Sequence, residues 1–531
     1  MVDSFIHYVS IVIIILLLVT LAQKLKIAYP IVLVLGGLLL SLIPGLPIIS
    51  ITPEMIFIIF LPPLLFEAAW YTSSKDFWRW RRVITSFASI LVIITSLVIA
   101  VVSSTIIPGF TLAMGFLLGA IVSPPDAVSA TAILKDVKVP KRVSTILEGE
   151  SLLNDASSLI IFRFALVAVD TGRFVFHEAA TSFVVVIVMG VVVGLIIGLL
   201  YYFVHKWLPT DTNVDVVLTL TAPYVMYIVA EKFHFSGVLS VVSGGLFLSA
   251  RSHLFLSHRS RIRGTNVWSS FGFVLNGLVF MLIGLELTVI VNQLNTISLQ
   301  AAFGYGVLIT VTLIITRMVC ALGASAFTMF ISRFINTADS RPGWRGPVII
   351  AWGGMRGVVS LAAALSIPLY LTHGEEFPQR NLILFITFTV ILITLIVQGL
   401  TLPYIIRLVN MEDPDNPLPI REYELQVRKK LAEQGLQFLE ENHTETLKTN
   451  KALRRLRTKF KNDQLERDAS ITNEHEDYRQ IYQELLLQQR ALLYELNKQP
   501  DTDNNTIRKY QTFLDIEEEK LRMRFEEEEE E

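Results

Sequence analysis

Gly119-Ala-Ile-Val-Ser-Pro-Pro-Asp-Ala-Val-Ser129 puts two adjacent prolines and an acid inside an otherwise apolar stretch. Pro124 and Pro125 carry no N–H, so a helix running into them opens and leaves carbonyls unpaired just before Asp126. Within a bilayer such backbone persists only where protein buries it or where it lines a cavity. A plain proline kink would account for the prolines, but an acid directly after the break favours an ion site. A second interruption, Ala351-Trp-Gly-Gly-Met-Arg-Gly-Val-Val-Ser360, sets Gly353, Gly354 and Gly357 around Arg356. Two weakened helices, one carrying an acid and one a base, guide the reading of the rest.

The surrounding chain is that of a membrane protein. Its 531 residues are 52% hydrophobic and 17% charged, with a mean hydropathy of +0.55; a soluble protein carries about 25% charged residues. Crossing a bilayer takes roughly 20 apolar residues. Segments that meet or approach this fall at 4–22, 28–43, 54–71, 83–106, 111–134, 143–169, 178–205, 214–231, 237–250, 267–290, 299–331, 347–371 and 381–408, which makes 13 spans. The run Ile11 to Val19 lacks the basic lead and cleavage site of a signal peptide and reads as part of the first span. The interrupted helices are then spans five and twelve. Spans 1–6 and 8–13 become two repeats of opposite orientation joined by span 7, a transporter pattern that points to the substrate site.

Loop charges test that count independently. Loops after odd-numbered spans carry 18 Lys and Arg, from Lys24 and Lys26 through Lys135 and Lys138 to Arg341 and Arg345, whereas the others carry Arg173, Lys232 and Arg380. The positive-inside rule puts the N-terminus outside and the C-terminus in the cytoplasm. The expected fold class is an all-α polytopic membrane protein of 13 helices, with two inverted six-helix repeats and a helical cytoplasmic tail.

Composition shifts after Met411. Residues 1–411 hold 25 Lys and Arg against 18 Asp and Glu; residues 412–531 hold 20 against 29. We divide the chain into a membrane domain, 1–411, and an acidic-ended tail, 412–531. Glu412–Pro419 reads as a linker, and Tyr423–Glu441 and Asp477–Leu496 as polar helices. Glu526–Glu531 repels itself too strongly to fold alone. The single cysteine, Cys320, lies in an apolar run and reads as a small packing residue.

Ionisable groups inside a bilayer are costly, so they pair or serve a function. The acids well inside the spans are Glu67, Asp126, Glu150, Asp155 and Glu286, and the buried bases are Arg163, Arg317 and Arg356. Any of the acids can simply neutralise a buried arginine. In span six, Glu148-Gly-Glu-Ser-Leu-Leu-Asn-Asp-Ala-Ser-Ser158 stacks Glu150 on Asn154 and Ser151 on Asp155 at i,i+4. Carboxylate, hydroxyl and amide oxygens within one turn are hard ligands, suited to a dehydrated Na⁺. Arg163 and Arg317 read as partners of acids or of carbonyls at helix breaks, and Glu286 as a structural acid.

Taken together, Leu61-Pro-Pro-Leu-Leu-Phe-Glu67, Ser123-Pro-Pro-Asp126, Glu150-Ser-Leu-Leu-Asn-Asp155 and Gly353-Gly-Met-Arg-Gly357 make the chain resemble the cation/proton antiporter-1 family, of the NhaP-type bacterial kind, over about residues 5–408. The resemblance implies a 13-helix homodimer in the plasma membrane, with a mobile core built from spans 4–6 and 11–13. It also implies that Asp155 binds the monovalent cation, assisted by Asp126, Ser151 and Glu67. Asn154 would organise the site, and Glu150 and Arg356 would form a buried salt bridge between spans six and twelve. Pro125 stands where the family often has threonine.

Na⁺ and H⁺ would compete for one carboxylate at Asp155, and the single acid of the Asn154–Asp155 pair suggests electroneutral 1:1 exchange. K⁺ in place of Na⁺ is the main alternative. A passive channel lacks a filter-like repeat, and a hydrolase lacks a histidine within the spans' interiors. No nucleotide-binding loop, cofactor cluster or nucleic-acid signature is apparent. The expectation is a secondary transporter without a cofactor, whose partners are the cation, the proton, the lipid membrane and a second copy of the chain.

Overall fold

The computed structural model describes residues 2–43, 56–134, 137, 139–173, 176–208, 210–292, 294, 297–334, 339, 342–411, 420–465, 472–497 and 504–525. The linker Glu412–Pro419, the closing Glu526–Glu531 and the loop cations Lys135, Lys138 and Arg341 lie outside the described residues. The chain folds as two compact units, Met1–Asp413 and Pro414–Glu531.

The first unit is helical: α1 (Val2–Leu25), α2 (Tyr29–Ser41), α3 (Ile56–Tyr71), α4 (Ser74–Ile106), α5 (Leu112–Val122), α6 (Ala127–Leu134), α7 (Lys141–Thr171), α8 (Phe176–Trp207), α9 (Thr212–Lys232), α10 (Gly237–Phe255), α11 (His258–Asn292), α12 (Leu299–Ile331), α13 (Arg345–Trp352), α14 (Val358–Leu365) and α15 (Arg380–Val409). Among the described residues eight helices are long and apolar enough to cross a membrane: α4, α7, α8, α9, α10, α11, α12 and α15. The protein is a polytopic helical membrane protein. Among the described residues three helices contain a widened π-type turn: Ile56–Phe60 in α3, Phe87–Leu91 in α4 and Thr394–Gln398 in α15.

Lipid tails are as apolar as leucine, so these helices associate through close packing at small residues rather than through hydrophobic burial. A Cβ on Gly115 or Gly119 of α5 would stand 2.6 Å from the carbonyl oxygens of Ala100 and Ser96 in α4. The same holds where α2 meets α11: a Cβ on Gly37 would lie 2.3 Å from the Met281 oxygen, and one on Gly284 2.2 Å from the Val34 oxygen. Larger residues at these positions would force the backbones apart. Helix α15 runs through the interior, with 78% of its apolar stretch buried, whereas α8 buries 22% and turns Val184, Val188, Leu195 and Leu199 outward. The placement of α15 brings it against the helix breaks.

The second unit contains α16 (Ile420–Asn442), α17 (Thr444–Thr449), α18 (Lys451–Leu465), α19 (Thr472–Asn497) and α20 (Asn504–Phe525). Gly435 lets α16 approach Phe460 of α18, and Arg457 pairs with Glu440 at 2.9 Å. Arg490 on α19 joins Asp515, at 2.6 Å, and Glu518 on α20; hydrogen bonds to these two acids push its pKa above the ordinary arginine value.

Candidate functional site

Prolines 124 and 125 end α5 by withholding two helical donors, and the structure supplies substitutes. The Ser123 hydroxyl donates to the Ala120 carbonyl at 3.4 Å, where Pro124 would have donated an N–H. The Asp126 N–H turns away from α5 and donates to the Met355 carbonyl at 2.7 Å, so one backbone bond joins the two interrupted helices. Two orphaned carbonyls, Val122 and Ser123, are then taken by Arg356, whose Nε and Nη2 donate to them at 2.8 and 3.1 Å. A guanidinium at a helix C-terminus also meets the negative end of the helix dipole. Its third link, to the Gly354 carbonyl, folds the side chain back on its own loop.

The second break receives the same treatment from another arginine. Helix α13 ends at Trp352, and Arg317 of α12 donates to the Ile350 and Ala351 carbonyls, both at 3.2 Å. Its guanidinium also grips Glu150 of α7 in a two-pronged pair, Nη1 to Oε1 at 2.6 Å and Nη2 to Oε2 at 2.8 Å. This corrects the pairing implied by the family resemblance: Glu150 is bridged to Arg317, and Arg356 is bonded to backbone carbonyls. The fork geometry explains the choice, since Arg317 meets both carboxylate oxygens at once, while α5 occupies the donors of Arg356. Glu150 is 0% exposed and Arg356 1%.

The remaining acids gather beside the crossing. Asp126 accepts a hydrogen bond from Ser129 at 2.8 Å, and its Oδ2 lies against the Cα of Gly357, where a Cβ would stand 2.1 Å away. Gly357 is therefore required to be bare for the carboxylate to sit at the start of α14. Asn154, fully buried, donates from Nδ2 to the Pro125 carbonyl at 3.1 Å, tying α7 to the first break. Asp155, next in the helix and 6% exposed, lies close enough to Asp126 for their charges to interact. Ser151, one turn before Asp155, is half-buried. Glu67 of α3 packs its carboxylate against Gly272 of α11, where a Cβ would meet Oε2 at 1.7 Å.

Sequence reasoning missed Tyr29. At the start of α2, it lies within electrostatic reach of both Asp126 and Glu67, and so links the acid of α3 to the crossing. Nothing in the local sequence marks it. Arg163 pairs with Glu231 at 2.6 Å on a half-exposed surface, while Glu286 is buried in α11. A further buried acid, Asp215, accepts from Thr210 at 2.7 Å and from Ser260 at 2.7 Å and faces His205 Nδ1 at 3.0 Å. Histidine and serine both lean on the carboxylate here, so the serine does not address the histidine as a nucleophile addresses its base.

Helix breaks that cross, with acids clustered between packed apolar helices, define a polytopic helical membrane protein with buried charge at its centre. Residues 11–408 match the family model described as sodium/hydrogen exchanger, transmembrane, and the chain belongs to that family. It is 32% identical over 429 residues to a sodium, potassium, lithium and rubidium/H⁺ antiporter of Bacillus subtilis, covering 79% of this chain and 63% of that one. It is 33% identical over 393 residues to the Na⁺/H⁺ antiporter ApNhaP of Aphanothece halophytica, covering 72% and 70%. The chain spans 63% and 56% of the length of two Bacillus relatives that it matches. Its fold is similar to that of the sodium proton antiporter MjNhaP1 from Methanocaldococcus jannaschii, with a TM-score of 0.61 at 18% identity, covering 77% of this chain and 100% of that one.

Proposed function

We propose that the chain exchanges a monovalent cation, Na⁺, for protons across the membrane, with cation and proton competing for the carboxylate of Asp155. The observation that carries this reading is the state of that carboxylate. It is almost fully buried beside Asp126, and among the described residues no hydrogen bond to it is formed. A buried carboxylate with a second acid close by is better neutralised by a cation or a proton than left charged. Loaded with either, the Asp155 carboxylate is neutralised and crosses the bilayer at lower cost than when it is empty. That difference couples the two fluxes.

Asp126, Ser151 and Glu67 assist in holding the cation, and Asn154, Glu150, Pro124, Pro125 and Arg356 organise the site. The single acid of the Asn154–Asp155 pair supports electroneutral 1:1 exchange, and a steady voltage-dependent current during transport would contradict it. The same proposal includes 13 spans in two inverted repeats, an outside N-terminus, a cytoplasmic C-terminus, a division at residue 411 and a homodimer in the plasma membrane. The 18-to-3 loop-charge bias supports the orientation, and the paired breaks support the repeats. A second reading, K⁺/H⁺ exchange, draws on Pro125 in place of the family's threonine and on the ions in the name of the Bacillus subtilis relative.

Acid-loaded inside-out vesicles from cells lacking their own antiporters test both. Na⁺, Li⁺ and K⁺ are added in turn, with Asp155→Asn as control. Cation-dependent alkalinisation that vanishes in the variant is the expected result, and the ion order chooses between the readings. No response to any of the three cations from well-expressed protein, at whatever pH it is measured, sinks the proposal.

A further inference from the structure

Gln398 stands out among the buried polar groups that the site does not use. Its side chain is 0% exposed, yet neither its amide nitrogen nor its amide oxygen has a hydrogen-bond partner among the described residues. Burying an amide with both ends unpaired is unfavourable, and such groups in native proteins call for an explanation. Gln398 closes the π-type turn Thr394–Gln398, and widened turns of this sort recur at functional positions.

Its position relates it to the crossing. Thr394 accepts a hydrogen bond from the Arg356 N–H at 3.3 Å, which sets that face of α15 against the interruption between α13 and α14. Gln398 follows four residues later on the same face, and Thr387, seven residues earlier, shares it. Thr387 is also fully buried, with its hydroxyl unpaired among the described residues. The next residue, Gly399, abuts Ile31 of α2 and Ile133 of α6, where a Cβ would stand 3.0 and 3.5 Å away. One buried face of α15 thus carries polar groups past the break, over about 16 Å at 1.5 Å per residue. Gln398 lies at its C-terminal end, beside the second half of the first broken helix.

We propose that the Gln398 carboxamide lines the route between the acids and the membrane face reached by the C-terminal end of α15. There it offers Oε1 to a partly hydrated monovalent cation and Nε2 to the oxygen of its accompanying water. This deepens the proposed antiport reading and rests on it. Gln398 is a positioning and selectivity residue on the path; the exchange itself stays with Asp155.

The test uses full-length protein in membranes, with Cys320→Ala removing the single native thiol. Antiport by Cys320→Ala is measured first, and its absence would count against the antiport reading alone. Gln398→Cys is then exposed to a small charged methanethiosulfonate. Modification, slowed severalfold by the transported cation, is the expected result, and it reports water at position 398 whether or not exchange is detected. In parallel, Gln398→Leu raises the half-saturating cation concentration about tenfold, with the maximal rate within about twofold, while Gln398→Asn falls between. A dry, structural amide gives the opposite pattern: an unreactive thiol, wild-type cation dependence in Gln398→Leu, and a higher melting temperature because an unpaired buried group is gone. That pattern overturns the proposal. Should Gln398→Cys fail to fold, the Leu and Asn variants decide by the same criterion.

Discussion

The two helix breaks solve one problem with opposite electrostatic outcomes. At both, an arginine from another segment takes the carbonyls that the interrupted helix leaves behind: Arg317 serves Ile350 and Ala351, and Arg356 serves Val122 and Ser123. Arg317 is neutralised by Glu150 in a two-pronged pair, so that break is closed electrically. Arg356 bonds to backbone oxygens, and among the described residues no carboxylate forms an ion pair with it. A neutralised break is structural support. Under the proposed function, the break whose arginine has no carboxylate partner is the one that responds to a cation or a proton. The difference teaches that a buried charge must be judged by what its partner leaves free.

Removing Arg317 is the largest expected perturbation, because it strands the Glu150 carboxylate in a dry interior. Breaking a buried pair from one side costs about 3–5 kcal/mol, so Arg317→Ala should fail to accumulate or melt far below wild type in detergent. Arg356→Ala should cost less, about 1–3 kcal/mol for carbonyls left unpaired, and should shift the cation dependence of exchange as well as the melting temperature. If Arg356→Ala proved the less stable of the two, the assignment of support to one break and response to the other would be broken. The smallest effect belongs to Ser129→Ala, which removes the hydroxyl donating to Asp126. One neutral-donor bond is worth about 0.5–1.5 kcal/mol. The expected reading is a rise of a few-fold in half-saturating cation with only a small drop in melting temperature; an unchanged transport curve would mean that Asp126 does not handle the ion.

Much of this was legible in the residues. Thirteen apolar runs with loop charges of one sign on alternate sides describe a membrane protein, because the bilayer imposes length and charge rules on each segment separately. The breaks were legible for a similar reason: Pro124, Pro125 and the glycines at 353, 354 and 357 act on their own backbone whatever surrounds them. Identity of the acids followed from their cost in lipid.

Partnership did not follow. The sequence offered Glu150 three arginines within the spans, and the family resemblance pointed to Arg356; packing gave it Arg317, 167 positions away, because α12 brings a guanidinium fork square to that carboxylate. Tyr29 came within electrostatic reach of the acids, Arg356 went to the carbonyls of α5, and Gln398 came to rest without a partner among the described residues for the same reason. Local chemistry is carried by single residues and their near neighbours, and so it can be read along the chain. Hydrogen bonds and ion pairs depend on distances of a few tenths of an ångström between helices far apart in sequence, and the packing of those helices sets them.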